Sequence, residues 1–497
     1  MRPDAGGPVV YRLAVTLDPA ACYPALRARD ARFDGLFFVG VTSTGVYCRP
    51  VCPARLPAAA RCEFFEHAAQ AERAGFRACL RCRPELAPGH GSVDAVSRLV
   101  RLAAVRIGAG TLNERSVEAL AASLGVTSRH LRRAMEAELG VSPVELAQTG
   151  RLALAKQLVQ DTAMPMARVA SAAGFASVRR FNAAFGARMG RSPSALRRAS
   201  GPRAAPGDAG EAIALRLDYR PPYAWDELLH YLAGRAIPGV ERVVDGEYRR
   251  TVVLGRRVGW LAVAPWEGRP ALRARVAPSL APCLMEVAAR LRAVFDLDAR
   301  PDLVAAHLER DPTLGPLVRA RPGLRVPGTF DGLELAVRAV LGQQISVAAA
   351  TTLSGRLAAR FGTALEGGLA GVDRAFPSAE RLAGATLAEV RAVGLPATRA
   401  QTVIDLARAV VQGRVDLALG EAPEPVVRAL QEIRGIGPWT AGYVALRALR
   451  WPDAFLGGDL GVRKALGVHT TKAAEARAEG MRPWRAYAVL HLWHSLS

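Results

Sequence analysis

At 497 residues the chain is too long for a single hydrophobic core, and three or four domains are expected. It is half hydrophobic and 22% charged, as folded proteins are, but its arginine-dominated net charge of +21 points to a polyanion, most often nucleic acid. No stretch approaches the ~20 uninterrupted apolar residues of a membrane span. The segment from Met1 to Pro19 lacks a basic region followed by an apolar core, so the chain is expected in the cytoplasm and off the membrane.

Residues 1 to 88 carry a cysteine module. Leu36 to Val41 reads as a strand, Ser43-Thr44-Gly45 as a turn, and Val46-Tyr47 leads into Cys48. Ala68 to Ala74 reads as a short helix stopped by Gly75. Three residues separate Cys48 from Cys52 and two separate Cys79 from Cys82. Two tight pairs a few tens of residues apart match a four-thiolate zinc site. In a reducing compartment clustered thiols mean metal or catalysis, not disulfides, whereas Cys22, Cys62 and Cys283 stand alone and read as buried thiols. On spacing alone a structural zinc knuckle is the leading reading. The surrounding Arg49, Arg55, Arg61, Arg73, Arg77, Arg81 and Arg83 suggest that the metal faces an acidic partner.

The run Thr44-Gly-Val-Tyr-Cys48-Arg-Pro-Val-Cys52-Pro-Ala-Arg55, with Arg29-Asp30, Phe37-Phe38-Val39 and Ala74-Gly-Phe-Arg-Ala-Cys79-Leu-Arg-Cys82, resembles the N-terminal domain of the Ada adaptive-response proteins. The resemblance implies one Zn²⁺ on Cys48, Cys52, Cys79 and Cys82, and a Cys48 that accepts a methyl group from a methylated DNA phosphate. Zinc keeps a thiol deprotonated at neutral pH, and the thiolate is the nucleophile. The product is a thioether, so the reaction is stoichiometric. It also removes one negative charge from the cluster and so lowers repulsion of DNA, a charge switch suited to regulation. Arg49 and Arg55 are expected at the DNA.

Residues 92 to 199 read as all helix. Leu112 to Leu124 has apolar positions at helical spacing, Gly125-Val126-Thr127 is a turn, and Ser128 is placed to cap a helix over Arg129 to Leu139. The pattern recurs in Met166 to Ala173, Gly174-Phe175 and Ser177 to Met189, and Gly-x-Ser-Pro closes both copies. Two such units on a long helix, Pro143 to Gln160, resemble the AraC-type DNA-binding domain. By that resemblance Arg129, His130, Arg132 and Arg133 lie on one recognition helix, and Arg179, Arg180 and Asn182 on the other. A basic solvated helix face is the alternative. Ser200 to Gly210 is a linker by composition. No Pro-Cys-His-Arg motif follows, so an alkylguanine methyltransferase is expected to be absent.

Residues 211 to 325 alternate like strands at Ile213 to Tyr219, Val240 to Val244, Tyr248 to Leu254 and Val258 to Val263, with helices at Trp225 to Leu232 and Leu284 to Phe295. The opening Leu217-Asp-Tyr-Arg-Pro-Pro-Tyr-Ala-Trp225 resembles the N-terminal domain of AlkA-type alkylbase DNA glycosylases. Residues 326 to 497 read as helical. In Leu430-Gln-Glu-Ile-Arg-Gly435-Ile-Gly437-Pro-Trp439-Thr-Ala441 a helix enters a Gly-x-Gly hairpin, and a second helix starts at Pro438, a natural first helical residue. Gly435 and Gly437 let backbone approach a phosphate, which helix-start N–H groups can bind. With Gly457-Gly-Asp459-Leu-Gly-Val-Arg463-Lys464, the run resembles the helix-hairpin-helix glycosylase superfamily. Pro483-Trp-Arg-Ala-Tyr487 and Leu490-His-Leu-Trp493 match its AlkA branch.

By this resemblance Asp459 is the catalytic carboxylate. The residues alone favour a helix N-cap after two glycines. Both readings hold together, because a helix N-terminus favours an anion and an oxocarbenium-like sugar needs one beside it. Trp439 stands where bifunctional relatives carry a lysine, so base removal without strand cleavage is expected. The late cysteines of iron–sulfur relatives are missing, so no such cluster is expected. Trp439, Tyr443 and Trp493 are expected to wall a pocket for a flipped base, with ordinary core packing as the alternative. Gln344, in the loop Gly342 to Ser346, occupies the wedge position.

The expected architecture is multidomain. A small α+β zinc domain (1–88) precedes an all-α double helix-turn-helix (92–199) and a linker (200–210). An α+β antiparallel-sheet domain (211–325) and an all-α helix-hairpin-helix glycosylase domain (326–497) follow. The expected function is monofunctional release of alkylated purines coupled to a methyl-triggered regulator acting on damaged and promoter double-stranded DNA. RNA polymerase is an expected contact of such an activator, and a monomer is expected. The rival is a transcription regulator with an inactive glycosylase-like half.

Overall fold

The computed structural model describes residues 18–89, 97–200 and 212–496. The N-terminal residues before Asp18, and the expected linker apart from Ser200, lie outside these ranges.

The sensor region opens with α1 (Pro19–Ala28), capped by the Asp18 side chain. Strands β1 (Phe38–Val41), β2 (Val46–Cys48), β3 (Cys62–Phe65) and β4 (Arg77–Ala78) form one sheet in the order β3-β1-β2-β4, and α2 (Ala68–Arg73) precedes β4. Period-two alternation divides the aromatic run between two faces. Phe37 and Val39 pack with Cys22 and Leu26 of α1, while Phe38 packs with Tyr47 and Phe76 on the opposite face. Burying each such ring contributes about 1.5–3 kcal/mol. Cys48 ends β2 opposite Val39, so the metal loop leaves the sheet from a fixed register.

The reader region is α3 (Arg98–Gly108), α4 (Thr111–Glu114), α5 (Val117–Ser123), α6 (Ser128–Leu139), α7 (Pro143–Asp161), α8 (Met166–Ala172), α9 (Val178–Met189) and α10 (Pro193–Ala199). The helix expected over 112–124 is two helices. Arg115 is extended, and the Ser116 side chain accepts from Ala119 N, which starts a new helix. Similarly, Thr127 rather than Ser128 caps α6, its hydroxyl accepting from His130 N at 3.2 Å. Ser142 and Glu145 form a capping box at the start of α7.

The C-terminal half begins with a five-stranded antiparallel sheet. Its strands are β5 (Ile213–Asp218), β6 (Glu241–Val244), β7 (Glu247–Leu254), β8 (Arg257–Pro265) and β9 (Ala271–Val276), ordered β5-β9-β8-β7-β6. Strand β9, Ala-Leu-Arg-Ala-Arg-Val, was not among the expected strands and pairs with both β5 and β8. The helices here are α11 (Trp225–Ala233), α12 (Leu284–Val294), α13 (Pro301–Leu308) and α14 (Leu314–Ala320). The helical region that follows contains α15 (Gly332–Leu341) and α16 (Val347–Phe361). It is interrupted once by a hairpin of β10 (Ala364–Leu369) and β11 (Val372–Arg374), joined to the first sheet where Asp373 N and Arg374 N donate to Gly239 O. Helices α17 (Ala379–Ala383), α18 (Leu387–Arg391), α19 (Ala397–Val411), α20 (Pro423–Gln431), α21 (Pro438–Arg447), α22 (Leu460–Ala465), α23 (Thr471–Ala478) and α24 (Arg485–His494) complete it. No helix among the described residues is long and apolar enough to cross a membrane.

Candidate metal centre and candidate active site

The Sγ atoms of Cys48, Cys52, Cys79 and Cys82 all lie within 4.8 Å of one another. Tetrahedral zinc with Zn–S near 2.3 Å sets sulfurs about 3.8 Å apart, so the donor set fits such an ion. Two backbone amides point at the sulfurs: Arg49 N donates to Cys82 Sγ and Arg81 N to Cys79 Sγ, both at 3.4 Å. Cys52, Cys79 and Cys82 are buried, and Cys48 is partly exposed. Of the flanking cations, Arg55 is exposed. Arg49 instead turns inward, its Nε donating to Asp34 Oδ1 and its Nη1 to Asp218 Oδ2, both at 2.8 Å.

In the reader, Leu131 and Met135 of α6 and Phe181 and Phe185 of α9 are buried. Arg129, His130, Arg132 and Arg133, and likewise Arg179, Arg180 and Asn182, are exposed on the opposite faces. The expected base-reading side chains therefore share solvent-facing surfaces of their helices.

The second site forms where α21, α22 and α24 meet. Asp459 caps α22, Oδ1 accepting from Val462 N at 2.9 Å. The same Oδ1 accepts from Trp493 Nε1 at 3.1 Å, and Oδ2 accepts from Trp439 Nε1 at 2.9 Å. The carboxylate is thus held by one amide and two indoles, and the expected helix cap is present. Trp439 and Tyr443 stack at 5.4 Å with planes 6° apart, and Trp493 lies 6.4 Å from Tyr443 at 47°. The three expected pocket aromatics therefore form one cluster around Asp459. Leu460, the next residue, is 74% exposed.

Beneath the cluster, Arg447 Nη1 donates to Tyr443 Oη at 2.7 Å and Tyr231 Oη at 3.2 Å. Burial pushes the Tyr443 phenol up, but the Arg447 and Arg235 guanidiniums more than reverse this, bringing it down to about 8. Tyr231 comes from α11, and the sequence offered no sign that it reaches this site. A periodic apolar helix looks the same whether its tyrosine ends in core or at a pocket.

The hairpin joins α20 to α21. Gly435 has φ +94°, and a Cβ there would fall 2.3 Å from Thr402 Oγ1, so no larger residue fits. Gly437 caps α21 with open space beside it. Gln343 Nε2 donates to Gly435 O at 2.8 Å and Thr440 Oγ1 at 3.0 Å, fastening the loop Gly342 to Ser346 to the hairpin. Gln344 is exposed at φ +57°. Gln343 carried no local signal in the sequence, because its partners lie 92 and 97 residues on.

A paired helix-turn-helix beside a helix-hairpin-helix and a helix-capping carboxylate held by two indoles defines a DNA-acting protein of the base-excision class. Family models match along the chain: the metal binding domain of Ada over 21–85, a helix-turn-helix domain over 120–199, the AlkA N-terminal domain over 214–331 and the HhH-GPD superfamily base excision DNA repair protein over 337–485. The chain is 39% identical over 490 residues to the probable bifunctional transcriptional activator/DNA repair enzyme AlkA of Mycobacterium tuberculosis, covering 96% of each protein. It is 37% identical over 279 residues to DNA-3-methyladenine glycosylase 2 of Escherichia coli, covering 56% of this chain and 96% of that one. Over 130 residues it is 33% identical to the bifunctional transcriptional activator/DNA repair enzyme Ada of Escherichia coli, covering 26% of this chain and 35% of that one. The chain belongs to the family of AlkA-type bifunctional transcriptional activator/DNA repair enzymes, which fuse an Ada-type metal-binding region to a helix-hairpin-helix glycosylase.

Proposed function

We propose that the chain releases alkylated purines from double-stranded DNA at Asp459 and accepts a methyl group from DNA methyl phosphotriesters on Cys48, using the second event to regulate transcription. The observation that carries the first part is the Asp459 carboxylate held between two indole N–H groups of an aromatic cluster. A flipped, electron-poor base stacks among Trp439, Tyr443 and Trp493, with a cation–π gain of about 1–2 kcal/mol when desolvated. The C1′–N bond breaks with its electron pair going to the base nitrogen, which neutralises an alkylated purine. Asp459 stabilises the positive sugar and orients water, which adds at C1′ and loses a proton. Lacking a lysine at Trp439, the site forms no Schiff base and leaves the strand intact. The hairpin amides around Gly435 and Gly437 meet the backbone phosphates, and Gln344 stands at the gap the base leaves.

At the sensor, Cys48, Cys52, Cys79 and Cys82 would hold zinc, which supplies a thiolate at neutral pH. Cys48 Sγ attacks the methyl carbon of the phosphotriester. An S–C bond forms, the C–O bond breaks, and the phosphodiester leaves as an anion. Exposed Arg55 meets the backbone, and Arg129, Arg132, Arg133, Arg179 and Arg180 grip the promoter. Incubating the chain with methylated duplex and measuring free base tests the first activity. Labelled methyl phosphotriester DNA tests the second, with label expected on Cys48.

A further inference from the structure

The cation nearest the methyl-accepting sulfur is not free. Arg49 follows Cys48 directly, yet its side chain is only 6% exposed, and it is held between Asp34 of the sensor and Asp218 of the glycosylase half. Its Nη1 also donates to Cys82 O at 3.3 Å, so the guanidinium joins the metal loop to the end of β5. Strand β5 is an edge of its sheet, and an open edge needs covering. The reader helps to cover it, because Gln157 of α7 donates to Arg216 O at 3.0 Å. The neighbouring Lys156, fully buried, donates to Cys79 O at 3.0 Å and Glu85 Oε2 at 2.7 Å. The metal loop is therefore clasped from both sides.

Two parts of this interface differ in what opening them would strand. Arg220, 1% exposed, donates to the carbonyls of Asp34 at 2.8 Å, Gly89 at 2.6 Å and Asp298 at 2.8 Å. Pulling the sensor away would leave that guanidinium without the sensor's carbonyls, a large cost. Asp218 differs, because Arg216 already binds both its oxygens at 2.6 and 2.9 Å. If Arg49 lets go of Asp218 while keeping its pair with Asp34, Asp218 retains a full ion pair with Arg216 and no bare carboxylate is left inside. One contact behaves as an anchor and the other as a releasable latch.

We propose that Asp218 latches the sensor shut by occupying Arg49, and that a DNA phosphate beside the methylated one takes Asp218's place when the sensor engages. This rests on the methyl-acceptor reading of Cys48. Engagement would turn Arg49 from the glycosylase half to the DNA while Arg220 keeps the sensor tethered, so the glycosylase half sets how readily the sensor responds.

The test uses the full, zinc-loaded chain. Asp218→Asn is expected to speed methyl uptake on Cys48 at least threefold and to raise amide exchange in residues 48–52 and 79–83 without DNA. Arg216→Gln leaves Asp218 only Arg49 and is expected to slow uptake and reduce that exchange. Opposite signs in the two variants exclude general loosening. Equal rates and equal exchange in parent and Asp218→Asn, or slower uptake in Asp218→Asn, overturn the latch. Should Asp218→Asn not fold, an Arg216→Gln variant with unchanged or faster uptake overturns it too. If the parent never labels Cys48, the methyl-acceptor reading fails, while amide exchange still reports on the latch by itself.

Discussion

Under the proposed function the Cys48 loop and the Asp459 site each present an anion to a positive or electron-poor carbon, and they hold it in opposite ways. Asp459 is fixed by three neutral donors from three helices, so its position is set before substrate arrives. As the proposed catalytic carboxylate it would leave each cycle unchanged. Cys48 ends a short strand, partly exposed, among four sulfurs whose charge a metal must balance. Under the proposed function it is a nucleophile that one reaction converts to a thioether. A reusable anion is locked by hydrogen bonds, whereas a single-use one is kept reactive by a metal and guarded by neighbouring ion pairs.

The sharpest way to break this comparison is to remove each anion in turn. Cys48→Ala is expected to abolish methyl labelling and leave base release within about twofold of the parent, because the metal loop and the Asp459 pocket share no ligand. Stripping zinc with a chelator should do the same, since the thiols then reprotonate and the loop loses its cross-link. Labelling that persists in Cys48→Ala would move the nucleophile elsewhere. Next in size, Asp459→Asn should slow base release about a hundred- to a thousandfold with only a modest fall in melting temperature, because asparagine keeps the helix cap although its amide nitrogen replaces the oxygen that accepts from Trp439. Free-base measurement against time separates this from the rival regulator-only reading, under which the variant matches its parent.

How far these two sites were legible in sequence follows from the range of their contacts. The cysteine spacing is local, and it located all four ligands. The cap at Asp459 is local too, as is the turn of the hairpin at Gly435. What escaped is long-range. That Trp493 donates to Asp459 depends on where α24 lands, 34 positions on, and that Trp439 does so depends on how α21 faces α22, 20 positions apart. Arg49 was expected at the DNA because its neighbours in sequence are basic. It lies inside because Asp218, 169 residues on, accepts from it. Strand β9 went unread because its arginines interrupt the apolar run, although they follow the period of two. The hairpin Ala364–Arg374 was missed because glycines and a short length mask any alternation.

Acid should separate the two sites next. Burial and the neighbouring His494 push the His491 imidazole down to about 4, so the folded state keeps it neutral. Its folded value lies below its unfolded one. The stability it contributes is therefore complete above about pH 6.5 and is lost as pH falls toward 4, an effect of up to about 3 kcal/mol. His491 lies on α24 two residues before Trp493, so the glycosylase half should loosen in this window. Chemical denaturation of the parent at pH 7 and pH 4.5 measures the loss, and His491→Gln should shrink it.

The smallest effect asks whether Asp459 is locked by its donors jointly or by one of them. Trp493→Phe keeps an aromatic wall for the base but deletes the 3.1 Å indole bond to Oδ1, while Val462 N still donates to that oxygen and Trp439 Nε1 to the other. A hydrogen bond to a charged group contributes about 1.5–3 kcal/mol, and with two donors remaining the low end applies. Base release should fall about tenfold. The loss should appear in kcat more than in KM, because the carboxylate meets its positive partner only as the glycosidic bond breaks. A loss confined to KM would mean that Trp493 serves the base alone and that Asp459 is positioned without it. In that case the carboxylate would be set by its helix cap, and the two anions of this chain would differ less in how they are held than their contacts indicate.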